Sequence, residues 1–534
     1  MLPNVADYDG LVRAFRWRLP ERYNMARHAC DDWAAREPAR PALYRQAAQG
    51  WEAVSYGALA ALSNRLAHAL AAKGIAAGDR VAILLPQSVE VLASHFAVYK
   101  LGAIAVPLAG AFGVEAIAYR LEDSGAKALV TDDAGLAKLA DRPERLRLVV
   151  CVDGPRASAD GLAELLAAAS DRPHAAGTGP DDPALMIYTS GTTGQPKGAL
   201  HGHRVLLPHV SGVGFTHDFF PRPGDRMWTP SDWAWAGGLL NTVLPALASG
   251  VPVVVQPAGR FDPEAAFALI AAAGVRNVFI PPTALKMMRA VERPKERFGF
   301  ELRTVGSAGE ALGAETFEWG RAALGVAVNE FYGQTECNYV IGSNAALGVA
   351  RAGATGKAVP GHQVAVLDAD GQPCAPGVMG QIAVRAPDPV MFLNYWNRPR
   401  DTAAKYAGEW LLTGDLARQD EDGYFHFLGR DDDIITSAGY RIGPAEIEDV
   451  LLRHPAVQIA AAIGKPDPLR TEIVKAYVVL RPGFAPREAL VAEIQEFVRT
   501  RLAAYEYPRE IAFVEELPLT TTGKVIRRLL RDQG

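Results

Sequence analysis

The 534-residue sequence has few cysteines, no long uncharged apolar run and no excess of basic charge. Its four cysteines lie too far apart in the chain to indicate a metal-binding pair or a disulfide framework. The longest apolar region, residues 89–112, is interrupted by Glu90, His95 and Lys100, so we expect no membrane span. The net charge of -5 argues against broad nucleic-acid binding. No basic stretch followed by an apolar core opens the chain, which favours a cytoplasmic location.

Strand-like and helix-like patterns alternate in the part of the chain that precedes Gly353. Short apolar runs suit buried strands, and the stretches between them carry apolar residues at helical spacing. The predicted strands are 81–85, 103–106, 128–131, 184–188, 251–255 and 277–280, and the predicted helices are 56–72, 89–101 and 114–124. This alternation is typical of βαβ units and predicts parallel sheets.

The pattern changes after about Gly353. Short β-like runs separated by glycine and proline, at 362–367, 381–384 and 424–428, predict a small antiparallel sheet or barrel. The last hundred residues indicate a separate small unit of helices and strands. Its predicted elements are a helix that begins at Pro444, a strand at 474–480 and an amphipathic helix over 490–502. The charged segment 429–433 is the best candidate for the link between the two parts.

The strongest chemical signal is the segment 188–198, which reads Tyr-Thr-Ser-Gly-Thr-Thr-Gly-Gln-Pro-Lys-Gly. A loop rich in glycine and hydroxyl side chains after a strand can wrap phosphate oxygens, and Lys197 adds a point charge. Pro196 excludes a Walker A loop, because it occupies the position of the glycine before the lysine. The segment resembles the phosphate loop of the adenylate-forming (ANL) superfamily, which includes acyl-CoA synthetases, luciferases and the adenylation domains of peptide synthetases.

Further segments resemble other motifs of that superfamily, in the same order along the chain. They are Gly-Ser-Ala-Gly-Glu-Ala-Leu at 306–312, Tyr-Gly-Gln-Thr-Glu at 332–336, Thr-Gly-Asp-Leu at 413–416, Ser-Ala-Gly-Tyr-Arg-Ile-Gly at 437–443 and the Thr-Gly-Lys segment at 518–528. The resemblance covers roughly residues 32–531. Within the superfamily it is greatest to medium-chain acyl-CoA synthetases and their bacterial relatives.

The resemblance implies an α/β fold class with a large N-terminal AMP-binding domain and a small mobile C-terminal α+β lid domain. The large domain is expected to contain two α/β subdomains and a small β-barrel-like subdomain. The implied divisions are 1–430 for the large domain, with subdomains at about 1–180, 181–345 and 346–430, then 431–433 for the hinge and 434–534 for the lid domain.

The resemblance also implies a role for each site residue. The ATP or AMP site is expected to comprise Thr189, Ser190, Gly191, Thr192, Thr193, Gly194, Lys197, Gly309, Glu310, Ala311, Tyr332, Gly333, Gln334, Thr335, Asp415, Arg430 and Arg441. The catalytic group is Lys524, Thr335 and Glu336, and Glu336 is the expected Mg²⁺ ligand. The acyl pocket is assigned to Trp235, Ala236, Gly237 and Gly333, the CoA tunnel to Ser437, Ala438, Gly439 and Tyr440, and the hinge to Asp432.

Three of these roles have a direct chemical reason. A carboxylate beside a triphosphate is costly unless a cation lies between them, so Glu336 implies a metal ion. An ionised carboxylate with two acceptor oxygens suits the vicinal diol of a ribose, which is the expected partner of Asp415. A mobile ammonium such as that of Lys524 can stabilise the charge that develops between an attacking carboxylate and a phosphate.

The implied activity is that of an AMP-forming acid–thiol ligase, an acyl-CoA synthetase that uses ATP, Mg²⁺ and coenzyme A. Acetyl-CoA synthetases carry a tryptophan where this chain has Gly333. Each buried CH₂ contributes about 0.8 kcal/mol, so the missing indole predicts a fatty acid of about four to ten carbons, or a branched or aromatic acid. Cys337 and Asn338 follow Glu336 where many relatives have Thr-Gly.

Relatives are acetylated at the position of Lys524, so a lysine acetyltransferase and a deacetylase are candidate partners. The oligomeric state is left open.

Other readings of the same residues stay open. Within the superfamily, the alternatives are an enzyme that loads a carrier protein and a benzoate-type aryl-CoA ligase. A non-catalytic nucleotide sensor would have no evident need for Lys524, and a P-loop phosphotransferase is disfavoured by Pro196. The products discriminate these classes, because an adenylate-forming enzyme releases AMP and pyrophosphate whereas a phosphotransferase releases ADP.

Overall fold

The computed structural model describes residues 2–3, 5–48, 50–139, 142–174, 176–189, 195–256, 259, 261–437, 440–502, 506–519 and 525–532. At Asp432 and Arg441 it describes the backbone alone. Among the described residues, no helix combines the length and the apolar character needed to cross a membrane.

The helices are distributed along the whole chain. They are α1 (Tyr8–Ala14), α2 (Asp32–Arg36), α3 (Tyr56–Ala72), α4 (Val89–Lys100), α5 (Val114–Ser124), α6 (Asp133–Leu136), α7 (Leu162–Ala167), α8 (Leu206–Thr216), α9 (Ala236–Gly238), α10 (Leu244–Ala248), α11 (Pro263–Ala272), α12 (Pro282–Met288), α13 (Pro294–Phe298), α14 (Ala314–Trp319), α15 (Pro399–Ala403), α16 (Pro444–Leu452), α17 (Glu488–Arg499) and α18 (Arg527–Asp532). A 3-10 turn, Asp431–Asp433, lies where the hinge is predicted.

The strands are mostly short. They are β1 (Pro41–Ala47), β2 (Gly50–Ser55), β3 (Arg80–Leu84), β4 (Ile104–Pro107), β5 (Ala128–Thr131), β6 (Leu148–Cys151), β7 (Asp160–Gly161), β8 (Pro183–Thr189), β9 (Lys197–Gly202), β10 (Met227–Trp228), β11 (Val253–Val255), β12 (Asn277–Phe279), β13 (Thr304–Ser307), β14 (Val328–Tyr332), β15 (Ile341–Gly342), β16 (Lys357–Ala358), β17 (Val364–Leu367), β18 (Met379–Arg385), β19 (Asn394–Tyr395), β20 (Tyr406–Ala407), β21 (Trp410–Gln419), β22 (Phe425–Arg430), β23 (Ile435–Ser437), β24 (Tyr440–Ile442), β25 (Val457–Asp467), β26 (Thr471–Leu480) and β27 (Glu510–Phe513).

Two large sheets form most of the molecule. Within the described residues, the first has the order β16-β15-β14-β13-β12-β10-β11-β1-β2, and the second has the order β19-β9-β8-β4-β3-β5-β6-β7. The inner strands of both sheets run parallel, as the alternation in the sequence predicts. Antiparallel pairs occur toward the ends, including β8 with β9 and β9 with β19.

Two smaller sheets follow. One is antiparallel, with the order β17-β18-β21-β20 and with β22 paired to β21. The other, in the C-terminal part, has the order β24-β23-β26-β25, with β27 added parallel to β26. This confirms the predicted α/β class with a large N-terminal domain and a smaller C-terminal one, whereas the exact domain limits remain predictions.

The local sequence explains several element boundaries. Helices α3 and α4 begin after Ser55 and Ser88, whose hydroxyls accept hydrogen bonds from backbone N–H groups of the first helical turn. Helix α5 ends at Gly125, whose φ of 61° lies in the left-handed region that favours glycine. The apolar run predicted a strand that begins at Val251, but β11 begins at Val253. The intervening Pro252 has no N–H to donate.

The largest apolar core lies between the two large sheets and the helices that cover them. Helix α4 is nearly all buried, and Phe96 and Val98 are fully enclosed. Lys100, which interrupts this apolar stretch, is also buried, but its ammonium forms an ion pair with Asp31 at 2.8 Å and donates to Ser63 and Asn64. A buried charge with this many partners is a stable part of the core.

Candidate active site

The candidate nucleotide residues follow the ends of three strands. Thr189 ends β8 in the second sheet, Gly309 follows β13 in the first sheet, and Tyr332 ends β14 beside β13. In open α/β sheets, ligands bind outside the carboxyl ends of the strands, so this placement suits a binding site.

The phosphate-loop candidates lie between two paired strands. Thr189 is the register partner of Lys197, and its hydroxyl lies 3.4 Å from the carbonyl oxygen of Lys197. The Lys197 ammonium lies 3.4 Å from Asp401 and 5.3 Å from the centre of the Tyr395 ring. The other predicted members, Ser190, Gly191, Thr192, Thr193 and Gly194, lie outside the described residues, and their roles remain predictions.

Glu336, the predicted metal ligand, is 7% exposed and accepts a hydrogen bond from the hydroxyl of Tyr395. Burial and the neighbouring carboxylate raise the pKa of that Tyr395 hydroxyl, so it stays protonated and able to donate. Because Tyr395 lies on β19 of the second sheet and Glu336 follows β14 of the first, this contact joins the two sheets beside the phosphate-loop candidates. Thr335, next to Glu336, is half-buried.

Asp415, the predicted ribose-binding carboxylate, is held by two donors from the segment 332–336. The Tyr332 hydroxyl and the Gln334 amide each donate to its Oδ2 at 2.7 Å. Burial raises the pKa of Tyr332 far above its ordinary value, with Asp415 adding to the effect. Arg430 is the register partner of Asp415 in the β21–β22 pair. The structure therefore brings four predicted nucleotide residues together: Tyr332, Gln334, Asp415 and Arg430.

The segment 306–312, which the resemblance predicts to lie against adenine and which we call the adenine segment, makes a tight turn after β13. Gly309 has a φ of 106°, in the region that only glycine adopts readily. The carboxylate of Glu310 accepts hydrogen bonds from the Thr283 hydroxyl at 2.9 and 3.0 Å, and Ala311 is half-buried beside it.

Glu330, which sequence reasoning missed, lies directly beneath this segment. It accepts hydrogen bonds from the backbone N–H of Leu312 at 3.4 Å and from the Thr355 hydroxyl at 3.3 Å. Burial raises its pKa from 4.5 to about 7. The sequence analysis predicted no strand at 328–332, so nothing indicated that Glu330 would be buried in the middle of β14.

The acyl-pocket candidates lie among aromatic rings. Trp235 makes an edge-on contact with Phe112, with their ring centres 5.6 Å apart. Ala236 is half-buried beside it, and a Cβ built at Gly237 would lie 3.0 Å from the Phe279 ring. Small residues at 236 and 237 therefore leave room for that ring.

The reasoning that Gly333 leaves empty space is wrong. A Cβ built there would lie 2.3 Å from the backbone nitrogen of Tyr339 and 2.6 Å from Cα of Asn338, so the chain itself fills that direction. Tyr339 has a φ of 60° and stacks on Phe331, with ring centres 4.0 Å apart. The Asn338 amide is buried and donates to Asn241 at 2.7 Å.

Two of the CoA-tunnel candidates, Ser437 and Tyr440, end β23 and begin β24. Ser437 is buried and is the register partner of Tyr440, which is 50% exposed. Ala438 and Gly439 lie outside the described residues, as does the catalytic candidate Lys524. Of Asp432 and Arg441 only the backbone positions are described, in the 3-10 turn and in β24.

The C-terminal part contacts the large domain near the adenine segment. Glu446 of α16 forms an ion pair with Arg418 of β21 at 3.0 Å. A Cβ built at Gly313 would lie 2.4 Å from a carboxylate oxygen of Asp449, so α16 packs closely against the chain that follows the adenine segment. The lid candidate thus lies beside the nucleotide candidates.

Comparisons with known proteins agree with this arrangement. The family model described as AMP-binding enzyme matches residues 30–396, and the model described as AMP-binding enzyme C-terminal domain matches residues 446–524. The chain is 34% identical to an acetyl-coenzyme A synthetase of Bacillus subtilis (strain 168), covering 99% of this chain and 95% of that protein. It is also 34% identical to the mitochondrial acyl-coenzyme A synthetase ACSM4 of Homo sapiens, covering 99% and 93%. A crystal structure of the anthranilate CoA ligase AuaEII with anthranoyl-AMP superposes with a TM-score of 0.89 at 28% identity, covering 96% and 98%.

Proposed function

Because the chain belongs to the AMP-binding enzyme family and is an AMP-forming acid–thiol ligase, we propose that it activates a medium-chain fatty acid, or a branched or aromatic acid of similar size. Its co-substrates are ATP and coenzyme A, and Mg²⁺ is its metal ion. The observation that supports the adenylation site is the pair of buried carboxylates, Asp415 and Glu336, each held by a tyrosine hydroxyl at a strand end. The aromatic contact of Trp235 with Phe112 supports the choice of acid.

The reaction takes place in two steps. A carboxylate oxygen of the acid attacks the α-phosphorus of ATP, the bond to the bridging oxygen breaks, and pyrophosphate leaves with that electron pair. The sulfur of coenzyme A then attacks the acyl carbon of the adenylate, gives up its proton, and AMP leaves with the carbon–oxygen bond pair. Activation is needed because oxide is a poor leaving group, whereas AMP is a stable one.

The residues present fit a Mg²⁺ ion. In nucleotide sites Mg²⁺ takes one or two carboxylates together with phosphate oxygens, and it retains several waters. Glu336 supplies one carboxylate, and the ring of its partner Tyr395 lies 5.3 Å from the Lys197 ammonium, at one flank of the phosphate-loop candidates. When bound, Mg²⁺ neutralises phosphate charge. Tyr395 holds the Glu336 carboxylate in a fixed orientation, and Lys197 adds a positive charge on the same side.

For the nucleotide we propose the assignment that the superfamily motifs imply. Asp415 binds the ribose hydroxyls with Arg430 beside it, the 309–311 segment lies against adenine, and Thr335 contacts the α-phosphate. Support comes from the way Tyr332 and Gln334 orient the Asp415 carboxylate before any ligand binds. A carboxylate that is already oriented loses little conformational entropy when it accepts hydrogen bonds from the two hydroxyls of a diol.

Lys524 is the proposed catalytic residue of the first step. Its ammonium is expected to neutralise charge between the attacking carboxylate and the α-phosphate, after which rotation at Asp432 brings the 437–440 segment to the pantetheine arm. Acetylation would abolish that charge, so a lysine acetyltransferase would inhibit the first step. The cytoplasmic location also stays a prediction.

The acyl group is proposed to lie against Trp235, Ala236 and Gly237. Trp235, Phe112 and Phe279 offer an aromatic, apolar surface there, which suits an alkyl chain or a ring. Since the chain fills the direction in which a side chain of residue 333 would point, the missing indole is not an argument for the length of the acid. This is why the test includes acids of several shapes.

Steady-state rates of pyrophosphate release and of CoA thioester formation across linear, branched and aromatic acids test the proposal. Hexanoate, isobutyrate, benzoate and acetate form a minimal panel. A higher kcat/KM for hexanoate or benzoate than for acetate is expected. Preference for acetate contradicts the proposed acid, and release of ADP contradicts the reaction class.

A second measurement separates the catalytic lysine from a structural role. Lys524→Ala is expected to abolish acyl-AMP formation while it largely spares thioester formation from supplied acyl-AMP. Equal loss of both steps would contradict the assignment. The carrier-loading alternative predicts faster acyl transfer to a phosphopantetheinyl protein than to free coenzyme A, and the aryl alternative predicts benzoate ahead of every alkyl acid.

A further inference from the structure

Charged side chains of the C-terminal part form a compact cluster next to the predicted hinge. Arg527 of α18 lies 2.7 Å from Glu448 of α16 and 3.5 Å from Asp433. Arg531, one turn further along α18, lies 2.6 Å from the other carboxylate oxygen of Asp433. The side chains of Arg527, Glu448 and Asp433 are 19%, 13% and 16% exposed, so water screens these pairs only in part.

The cluster joins two parts of the chain that the reaction uses. Asp433 directly follows Asp432, where rotation is expected, and Arg527 comes shortly after Lys524. Leu519 and Val525, on either side of residues 520–524, form a β-bridge, and the Ile526 N–H donates to the Pro518 carbonyl at 2.8 Å. These contacts join the two flanks of residues 520–524 to each other, and Leu517 and Val525 on those flanks pack in an apolar cluster with Ile463 of β25 and Tyr477 of β26. The ion pairs of Arg527 and Arg531 with Asp433 join α18 to the turn at the hinge.

The cluster is electrically balanced and well hydrogen-bonded. Glu448 accepts hydrogen bonds from Arg527 and from the backbone N–H of Ala462, and the Arg527 Nε–H lies 3.3 Å from the Ala462 carbonyl. Burial alone would lower the pKa of Arg527, but Glu448 and Asp433 raise it above its ordinary value. Loss of the Asp433 carboxylate would leave Arg527 and Arg531 with less neighbouring negative charge, which is costly for partly buried cations.

We propose that Asp433 is a positioning residue, which together with Arg527 and Arg531 ties the hinge turn to α18 and thereby holds the segment that carries Lys524 in place for adenylate formation. This inference rests on the proposed function. Asp433 does not touch the reacting atoms; it acts through α18. Because Asp433 lies on the C-terminal side of Asp432, the cluster moves as one body with the lysine segment when the domain rotates.

The proposal predicts different effects on the rates of the two half-reactions. Lys524 is expected to act in adenylate formation and not in thioester formation. A change that only loosens its attachment therefore slows the first step and spares the second. A change that merely weakens the fold of the C-terminal part slows both, because both need that part.

Asp433→Asn tests the proposal, with Arg528→Gln as the matched control, since Arg528 lies on the same helix and is exposed. Adenylate formation is measured by ATP–pyrophosphate exchange, and the second step by thioester formation from supplied hexanoyl-AMP. Amide hydrogen exchange of α18, Arg527–Asp532, reports its attachment without reference to any substrate. In Asp433→Asn we expect exchange at α18 to rise about tenfold, adenylation to fall about tenfold and thioester formation to change less than twofold.

Further variants keep the test decisive. Asp433→Glu retains the carboxylate and is expected to recover most of the adenylation rate. If Asp433→Asn does not fold, Arg531→Gln removes the more exposed partner and should give the same asymmetry. Equal loss of both half-reactions, or α18 exchange no faster than in Arg528→Gln, overturns the proposal. A wild-type enzyme that forms no acyl-AMP from any acid of the panel instead overturns the proposed function, and the α18 exchange measurement still decides whether Asp433 anchors that helix.

Discussion

Tyr395→Phe removes the hydroxyl that donates to Glu336 and leaves the rest of the ring in place. Glu336 is 7% exposed, so water does not freely replace the lost donor. A hydrogen bond to a charged group contributes about 1.5–3 kcal/mol. If this bond holds the carboxylate in the orientation that binds metal, its loss lowers adenylation by about 10- to 150-fold, since about 1.4 kcal/mol is a factor of ten.

The assay is ATP–pyrophosphate exchange over a series of Mg²⁺ concentrations. We expect the Mg²⁺ concentration for half-maximal exchange to rise, because a less oriented carboxylate binds the ion less tightly. Thioester formation from supplied acyl-AMP should change little, since pyrophosphate has already left. Tyr406→Phe is the matched control, because Tyr406 is half-buried and packs against the same apolar cluster.

The refuting result is an unchanged Mg²⁺ dependence together with a reduced melting temperature. That outcome would mean that Tyr395 only connects the two large sheets and that Glu336 does not bind the metal. A parallel loss in Tyr406→Phe would point to the packing of that cluster instead.

Three further predictions concern other parts of the site. Glu330 has a pKa raised by burial from 4.5 to about 7, so its contribution to stability is fully present below pH 4.5 and is lost as the pH rises through 7. The melting temperature of the wild type relative to Glu330→Gln should fall over that window, by the equivalent of about 3 kcal/mol, whereas the exposed Glu301→Gln should show no such trend. Asp415→Asn should raise the KM for ATP at least tenfold while the KM for the acid changes less than threefold, because it weakens hydrogen bonds to the ribose; equal changes in both constants would contradict the assignment. Gly333→Ala should lower the melting temperature and the activity together, because its Cβ would lie 2.3 Å from a backbone nitrogen, and a variant as stable as the wild type would contradict that geometry.

The helices and parallel strands of the large domain were predictable because their signals are local. Helix α3 has apolar residues at helical spacing and a serine cap, and its predicted limits match the structure at both ends. Helix α5 is bounded by Gly113 and Gly125, and its predicted limits also match the structure. The amphipathic helix near the C-terminus was predicted to extend to 502, but α17 ends at Arg499, and Leu502 packs against the apolar core from beyond its end.

The site was only partly predictable, because the motifs identify the functional residues but not the side chains that hold them in place. Tyr395 belongs to no motif, and it reaches Glu336 only because β19 pairs with β9 at the edge of the second sheet. Glu330 faces the adenine segment because β14 lies beside β13. The space beside Gly333 could not be judged from the absence of a side chain, since the path of the chain at Asn338 and Tyr339 decides it.

The two carboxylates of the site are held by tyrosine hydroxyls from different sheets, and this limits which parts of the enzyme can move during the reaction. Glu336 follows β14 and is held by Tyr395 of the second sheet, whereas Asp415 belongs to the antiparallel sheet and is held by Tyr332 at the end of β14. The end of β14 therefore connects three sheets, and a movement of any one of them would displace a carboxylate. A reaction that needs two arrangements of the site must then move the C-terminal part and leave these sheets fixed. The ion cluster at Asp433 lies where such a movement would be transmitted to Lys524, which is why the two half-reactions are expected to respond differently when it is broken.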